Sequence, residues 1–241
     1  MDNYLQIKSL HKSFNKIEAV KNISFDIKKN QIIGLLGPNG CGKTTTIGMI
    51  LGLLKPSHGK ILIENKDIEK NKIMTLKRIN FISPYIELPK KLTVRQNLIV
   101  YGKLYGVKDI NIKIDYLCEK LRLTEIINNI TGELSSGQKN RVGLAKAIIN
   151  DPILLLLDEP TASLDPETGD FVRTFLESYQ KEKSNSILLA SHNMNEVERL
   201  CSSVLMMKNG SIIDQGKPKE LILKHGRQNL EEVFLKLIRK K

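Results

Sequence analysis

The chain is poor in several features that would assign it to other classes. Aromatic residues make up only 5% of it, so the base-stacking platforms of single-strand nucleic-acid binders are not expected. Its three cysteines, Cys41, Cys118 and Cys201, are far apart and form no Cys-x-x-Cys pair. That argues against a disulfide framework or a zinc site and for a reducing cytosol. No apolar run approaches the ~18 residues of a membrane span. The start, Met1-Asp2-Asn3-Tyr4, has neither the basic nor the apolar region of a secretory leader, and none is expected. Internal repeats and low-complexity linkers are missing too, so one compact unit with a helical subdomain is expected.

What is present describes a soluble globular chain. It has 241 residues, 41% hydrophobic and 27% charged, enough to bury a sizeable core without staples. Lys plus Arg is 38 and Asp plus Glu is 26, a net charge of +12. Nucleic acid or an anionic membrane face would suit that charge. The cations are scattered, however, in pairs such as Lys28-Lys29 and Lys90-Lys91, which reads as a solvated surface.

One stretch organises the rest: Gly37-Pro38-Asn39-Gly40-Cys41-Gly42-Lys43-Thr44. The apolar run Ile32-Ile33-Gly34-Leu35-Leu36 before it reads as a buried strand. Ile47, Ile50, Leu51 and Leu54 after it fall at helical spacing. A loop between strand and helix is the context that phosphate binding needs. Gly37, Gly40 and Gly42 let the backbone turn tightly and approach an anion. Backbone N–H groups and the helix N-terminus then face the phosphates. Lys43 supplies a cation, and the Thr44 hydroxyl is a ligand for Mg²⁺. Cys41 reads either as a small filler residue, since the chemistry around it needs no thiol, or, beside a helix N-terminus and Lys43, as a cysteine whose thiolate is stabilised.

Residues 4 to 10 and 21 to 28 read as strands, joined through a polar loop, Lys12-Ser13-Phe14-Asn15. Lys55 to Gly59 is a turn cluster, and Ile61 to Ile63 and Ile79 to Ile82 are short strands. Helical patterns dominate about 85 to 150. The first is a helix capped by Thr93 and carrying Val94, Asn97, Leu98 and Tyr101. Ile153 to Leu157 and Ser186 to Ala190 suit parallel strands buried on both faces. Val204 to Met207 and Ser211 to Asp214 flank Asn209-Gly210, a hairpin signal. The end, about 229 to 240, is an amphipathic helix with Leu230, Val233, Phe234, Leu237 and Ile238 on one face. Asn229 and Glu232 have the spacing of its cap.

Two further segments carry chemistry. Asp158 ends a buried strand, where a carboxylate can hold Mg²⁺, and Glu159 is placed to take a proton from water. Leu134-Ser135-Ser136-Gly137-Gln138 precedes a helix whose apolar face is Val142, Ala145, Ile148 and Ile149. This segment reads equally as a second anion site or as a plain capped helix start.

From 4 to about 216 the chain resembles the ATPase subunits of ATP-binding cassette (ABC) transporters. Gly37 to Thr45 resembles Walker A, Leu134 to Gln138 the ABC signature, and Ile153 to Asp158 Walker B, with Glu159 as the base. Ser163-Leu164-Asp165 resembles the D-loop, His192 the switch histidine, and Phe14 the aromatic that stacks on adenine. The resemblance implies an α/β fold of the P-loop NTPase kind. It would have a RecA-like, mixed and mainly parallel sheet, an N-terminal antiparallel sheet and a helical subdomain, in a single ATPase domain over 4–236. It implies ATP and Mg²⁺, with Thr44 and Asp158 at the metal and Glu159 and His192 in catalysis. The nucleotide would meet Phe14, Gly37, Pro38, Asn39, Gly40, Cys41, Gly42, Lys43, Thr44, Thr45, Ser135, Ser136, Gly137, Gln138 and Asp165.

Members work as head-to-tail dimers, so Ser135 and Gly137 of one subunit would reach the γ-phosphate held by Lys43 of the other. His192 would hydrogen-bond that phosphate. Lacking a span, the chain would sit in the cytoplasm at the membrane face, through separate permease subunits. The tail Asn229 to Phe234 resembles that of exporter subunits. No direct nucleic-acid partner is expected. A non-transport member acting on nucleic acid or ribosomes is the competing class, and the tandem cassettes or long coiled-coil insertions usual there are missing. The signature has Ser136 where glycine is usual. Eight residues before Leu92, the usual glutamine of the Q-loop falls on Pro84, which has no side-chain donor or acceptor. That departure keeps a third reading alive, a nucleotide-binding regulator without turnover, which Glu159 and His192 disfavour.

Overall fold

The computed structural model describes residues 3–83 and 87–239. The Q-loop position, Pro84, lies outside the described residues.

Alternating apolar residues build the first hairpin. β1 (Asn3–Phe14) and β2 (Ile17–Lys28) pair antiparallel, burying Leu5, Ile7 and Leu10 of one strand with Val20, Ile23, Phe25 and Ile27 of the other. The expected polar loop at Lys12-Ser13-Phe14 is corrected here. These residues continue the ladder, paired with Val20, Glu18 and Ile17. Asn15 and Lys16 alone make the turn, and Asn15 takes φ 52°, a left-handed conformation that asparagine tolerates. A two-residue turn leaves no loop for the other three.

β3 (Ile32–Leu36) is buried throughout and leads to α1 (Lys43–Ile50). β4 (His58–Ile63) pairs with β1, and the short β5 (Lys66–Asp67) completes a four-stranded antiparallel sheet, in the order β2-β1-β4-β5. α2 (Lys72–Leu76) and β6 (Ile79–Ile82) follow. The helical segment holds α3 (Val94–Tyr105), α4 (Ile110–Lys120) and α5 (Ser136–Ile148). Thr93 caps α3: its hydroxyl accepts the Gln96 N–H at 3.2 Å, and Gln96 Oε1 accepts the Thr93 N–H at 2.9 Å. That box satisfies two otherwise unpaired donors.

The chain then alternates strand and helix: β7 (Leu154–Asp158), α6 (Pro166–Lys183), β8 (Ser186–Ser191), α7 (Met194–Leu200) and β9 (Ser203–Lys208). β10 (Ser211–Gly216) folds back on β9 through Asn209-Gly210, both at positive φ. α8 (Pro218–His225) and α9 (Leu230–Arg239) close the chain. The second sheet has the order β10-β9-β3-β8-β7-β6. Its pairs are parallel except at β10.

Both faces of this sheet are covered, which is why its strands read as unbroken apolar runs. Leu36, Leu155, Leu157, Leu189 and Met206 pack on the helical side, with Leu230, Val233 and Phe234 of α9. Leu35, Leu154, Leu156, Leu188 and Met207 face α1 and the antiparallel sheet. Asn229 caps α9 as its spacing predicts, accepting the Glu232 N–H at 2.9 Å.

Asn97 ties the helical segment together from within. It is fully buried on α3, and its Nδ2 is 2.8 Å from the Thr131 hydroxyl and 3.2 Å from the carbonyls of Pro89 and Thr93. Asn97→Leu strands those acceptors and should lower stability by about 1–3 kcal/mol, read from chemical denaturation. An unchanged midpoint would show that the ties are dispensable.

Candidate functional site

The loop from Gly37 to Gly42 is held at van der Waals limits. A methyl group on Gly37 would lie 2.4 Å from Cys41 Sγ and 2.6 Å from the Met207 carbonyl. One on Gly42, at φ 109°, would lie 2.5 Å from the Ala19 carbonyl. Gly42 occupies the N-cap of α1 without a side-chain cap, so the first N–H groups of that helix are left to an incoming acceptor. The loop is tied to the β9–β10 turn by the Gly210 N–H, which donates to the Cys41 carbonyl at 3.0 Å. Pro38, Asn39, Gly40 and Thr44 are exposed, and Thr45 is half-buried.

Lys43 folds over this loop. Its Nζ donates to the Gly37 carbonyl at 2.6 Å and to that of Pro38 at 3.3 Å. Thr44 Oγ1 donates to Asp158 Oδ2 at 3.2 Å. Burial pushes the Asp158 carboxyl up and the Thr44 hydroxyl pulls it down. Glu159 adds to the rise, and Lys43 opposes it. An oxygen-only donor set of hydroxyl and carboxylate is what a hard divalent cation takes.

Of the two readings of Cys41 the structure supports the filler. Its thiol is buried against the core between the sheets, and burial pushes its pKa up more than Lys43 pulls it down. Desolvation outweighs the loop's positive field, so the thiolate is disfavoured. All three cysteines are buried, and burial raises each.

Glu159 follows β7 at φ 52°, a strained conformation for a glutamate. Its N–H donates to the Ala190 carbonyl at 2.8 Å, which locks it to the end of β8. Its Oε1 lies 2.7 Å from His192 Nδ1. The family resemblance assigns His192 to a phosphate; here its Nδ1 meets Glu159 and the ring is largely exposed, with Nε2 left for another partner.

The signature segment starts α5 with a capping box, which fits either reading of it. Ser135 Oγ accepts the Gln138 N–H at 3.2 Å, and Gln138 Oε1 accepts the Ser135 N–H at 2.9 Å. Ser135 and Ser136 are exposed, and Gly137 lies against Thr168 of α6. Asp165 caps α6, accepting the Thr168 N–H at 2.9 Å, and Thr168 holds its carboxyl below the usual range. Among the described residues, no hydrogen bond joins Ser135, Gln138 or Asp165 to the phosphate loop. Phe14 is 43% exposed at the end of β1, with Lys12 Nζ 4.9 Å from its ring centre. Its hairpin reaches the loop through Ala19 and Val20.

Three residues of this neighbourhood escaped the sequence: Thr161, Ser191 and Glu196, linked by hydrogen bonds behind Glu159. Nothing in their spacing marks them, since Glu196 reads as an ordinary residue of a short helix.

A phosphate loop after the central strand, with a carboxylate at the end of a strand one removed in the sheet, defines a P-loop nucleoside triphosphatase. The profile of the family described as ABC transporter matches residues 20–162. The chain is 34% identical over 227 residues to the ABC transporter ATP-binding protein NatA of Bacillus subtilis (strain 168), covering 92% of each. It is 35% identical over 232 residues to the Nod factor export ATP-binding protein I of Rhizobium sp. (strain N33), covering 95% of this chain and 76% of that one. The solved structure of cbiO1 from Clostridium perfringens, part of the ABC transporter complex cbiONQ, matches with a TM-score of 0.83 at 32% identity. That match covers 93% of this chain and 92% of the other. The chain belongs to the ABC transporter family, as one of its ATP-binding ATPase subunits.

Two outcomes test the loop. Gly42→Ala collides with the Ala19 carbonyl and should weaken ATP binding at least ~10-fold, measured by fluorescent-nucleotide titration; wild-type affinity would show that the loop yields freely. In the folded protein near pH 7, Cys41, Cys118 and Cys201 should all react slowly with a small thiol reagent, and quickly after unfolding. Fast labelling of native Cys41 would contradict its burial.

Proposed function

We propose that this chain binds MgATP on its phosphate loop, hydrolyses it with Glu159 as general base, and powers export through separate membrane permease subunits. The observation that carries the reading is the convergence of Lys43, Thr44, Asp158, Glu159 and His192 at one end of the parallel strands. The backbone of Gly37 to Thr45 binds the phosphates, and Lys43 exchanges the carbonyls of Gly37 and Pro38 for phosphate oxygens. Thr44 and Asp158 hold Mg²⁺, which when bound neutralises phosphate charge. Glu159 takes the proton of the attacking water, and His192 holds Glu159 through Nδ1 while Nε2 faces the γ-phosphate. Phe14 stacks on the adenine.

The exposed start of α5 has no use within one copy. We assign it to a second ATPase subunit, arranged head to tail, with the partner subunit's Ser135 and Gly137 on the γ-phosphate. Ser136, Gln138 and Asp165 belong to the same subunit face. The ATPase unit spans 4–236, with the helical segment of about 85–150 inserted and α9 at its end. Among the described residues no helix is long and apolar enough to cross a membrane, so other chains supply the spans and hold this one at the cytoplasmic face. The relative that is part of a transporter complex supports such partners, and the one named for export supports that direction.

Glu159→Gln should slow hydrolysis at least ~100-fold with ATP binding intact, and the variant should accumulate as an ATP-bound dimer in size-exclusion chromatography. Near-normal hydrolysis would remove Glu159 from its role. Mild detergent extraction should keep the chain with a membrane protein; a chain that instead tracks RNA at high salt would point to the competing class.

A further inference from the structure

Glu196 is 1% exposed on α7, and among the described residues no Lys, Arg or His lies within ion-pair distance of its carboxylate. Its two oxygens are met by neutral hydroxyls: Thr161 Oγ1 donates to Oε1 at 2.7 Å, and Ser191 Oγ donates to Oε2 at 2.7 Å. Burial pushes the carboxyl up, and the two hydroxyls pull it down. Arg173 pulls it down too, from beyond ion-pair distance, while Glu159 adds to the rise; a buried carboxylate with no cation in contact costs stability. Packing therefore gives no reason for an acid here.

The neighbouring serine supplies one. Ser191 Oγ also accepts the Asn193 N–H at 3.1 Å and lies 3.5 Å from Glu159 Oε2. Ser191 has a single hydroxyl proton. The acceptor at 2.7 Å takes it, and the one at 3.5 Å does not. Ser191 then gives its proton to Glu196 and not to Glu159. With Oε1 held by His192, Oε2 of Glu159 keeps its lone pairs for the proton of a water. Thr161 follows Pro160, whose carbonyl accepts Asn140 Nδ2 of α5 at 2.7 Å, so Glu196 also fixes the chain just after the base.

We infer that Glu196 is a positioning residue for Glu159: it captures the hydroxyl protons of Ser191 and Thr161, and so keeps one oxygen of the proposed base free and its loop in place. The inference rests on the reading of Glu159 as base. A glutamine at 196 accepts at one end only, so one of the two hydroxyls is released.

The test uses the full chain, with steady-state MgATP hydrolysis, ATP affinity by titration and a thermal melt for each variant. Glu196→Gln should lower kcat at least ~10-fold while the ATP Kd stays within ~2-fold. The double variant Glu196→Gln with Ser191→Ala should be no more than ~2-fold slower than Glu196→Gln alone, because both act along one path. A folded Glu196→Gln with kcat within ~2-fold of wild type overturns the inference, as do losses that multiply in the double variant. So does a loss of kcat matched by an equal loss of ATP-binding sites, which marks misfolding alone. Should Glu196→Gln not fold, Thr161→Val removes one donor at constant shape; a kcat drop of at least ~3-fold at unchanged Kd supports the inference, and a smaller drop overturns it. Glu159→Gln in the same assay separates the two levels. If it is inactive while Glu196→Gln is normal, only the positioning role fails; if it is active, the base assignment fails and the positioning role with it.

Discussion

The nucleotide end of this molecule depends on how closely backbone is allowed to approach backbone at Gly37 and Gly42. Both sheets meet there. The Met207 carbonyl comes from the parallel sheet and the Ala19 carbonyl from the antiparallel one, and each lies where a Cβ would have to go. The loop is therefore clamped between two layers rather than hung from one. That clamp presents the N–H groups at the start of α1 outward, and an oriented set of N–H groups binds an anion without reorganising when it arrives. It also puts the stem of Lys43 under cover, with its ammonium satisfied by two carbonyls of the loop. A lysine held this way is pre-aimed at the space a phosphate occupies.

Charge is then arranged around the clamp at some cost in stability. Lys43, Asp158 and Glu196 are all buried, and Glu159 sits at a φ that glutamate avoids. None of these is a device for folding. Each is held by groups that leave something over: Thr44 on Asp158, His192 on one oxygen of Glu159, two hydroxyls on Glu196. The stability comes from elsewhere, from the two apolar layers that cover the parallel sheet on both faces. Their strands end together, so side chains at the strand ends of β7 and β8 meet without any long-range instruction in the sequence.

This division explains what could be read in advance. The strand runs Ile32 to Leu36 and Leu154 to Leu157 are legible because burial on both faces leaves a continuous apolar signature, and the loop after the first is legible because close approach demands glycine. Thr93, Ser135 and Asn229 are legible as caps because capping chemistry is local. Phe14 was misplaced in a loop because hairpin length is decided by the turn, and Asn15-Lys16 is not among the strong turn dipeptides. The two readings of Cys41 stayed open because a sequence shows which charges are near but not how much solvent is lost; here the loss of solvent outweighs Lys43. Thr161, Ser191 and Glu196 were invisible because their meeting is tertiary: 35 and 5 residues separate the pairs.

The same tertiary links connect the signature segment to the surroundings of Glu159. The phosphate loop starts α1, and the signature segment starts α5, on the helical segment. α5 is nonetheless joined to the base: Asn140 holds the Pro160 carbonyl, Thr161 holds Glu196, and Glu196 holds Ser191 beside Glu159. Every member of that series is a hydrogen bond of 2.7 Å except the last approach, at 3.5 Å. The segment that follows Glu159 is thereby anchored to both α5 and α7. In the head-to-tail pair proposed above, α5 is the element assigned to the nucleotide of the other subunit. On the proposed reading of Glu159 as base, its surroundings are thus anchored to the helix assigned to the second subunit, while Ser191 Oγ stays 3.5 Å from its Oε2.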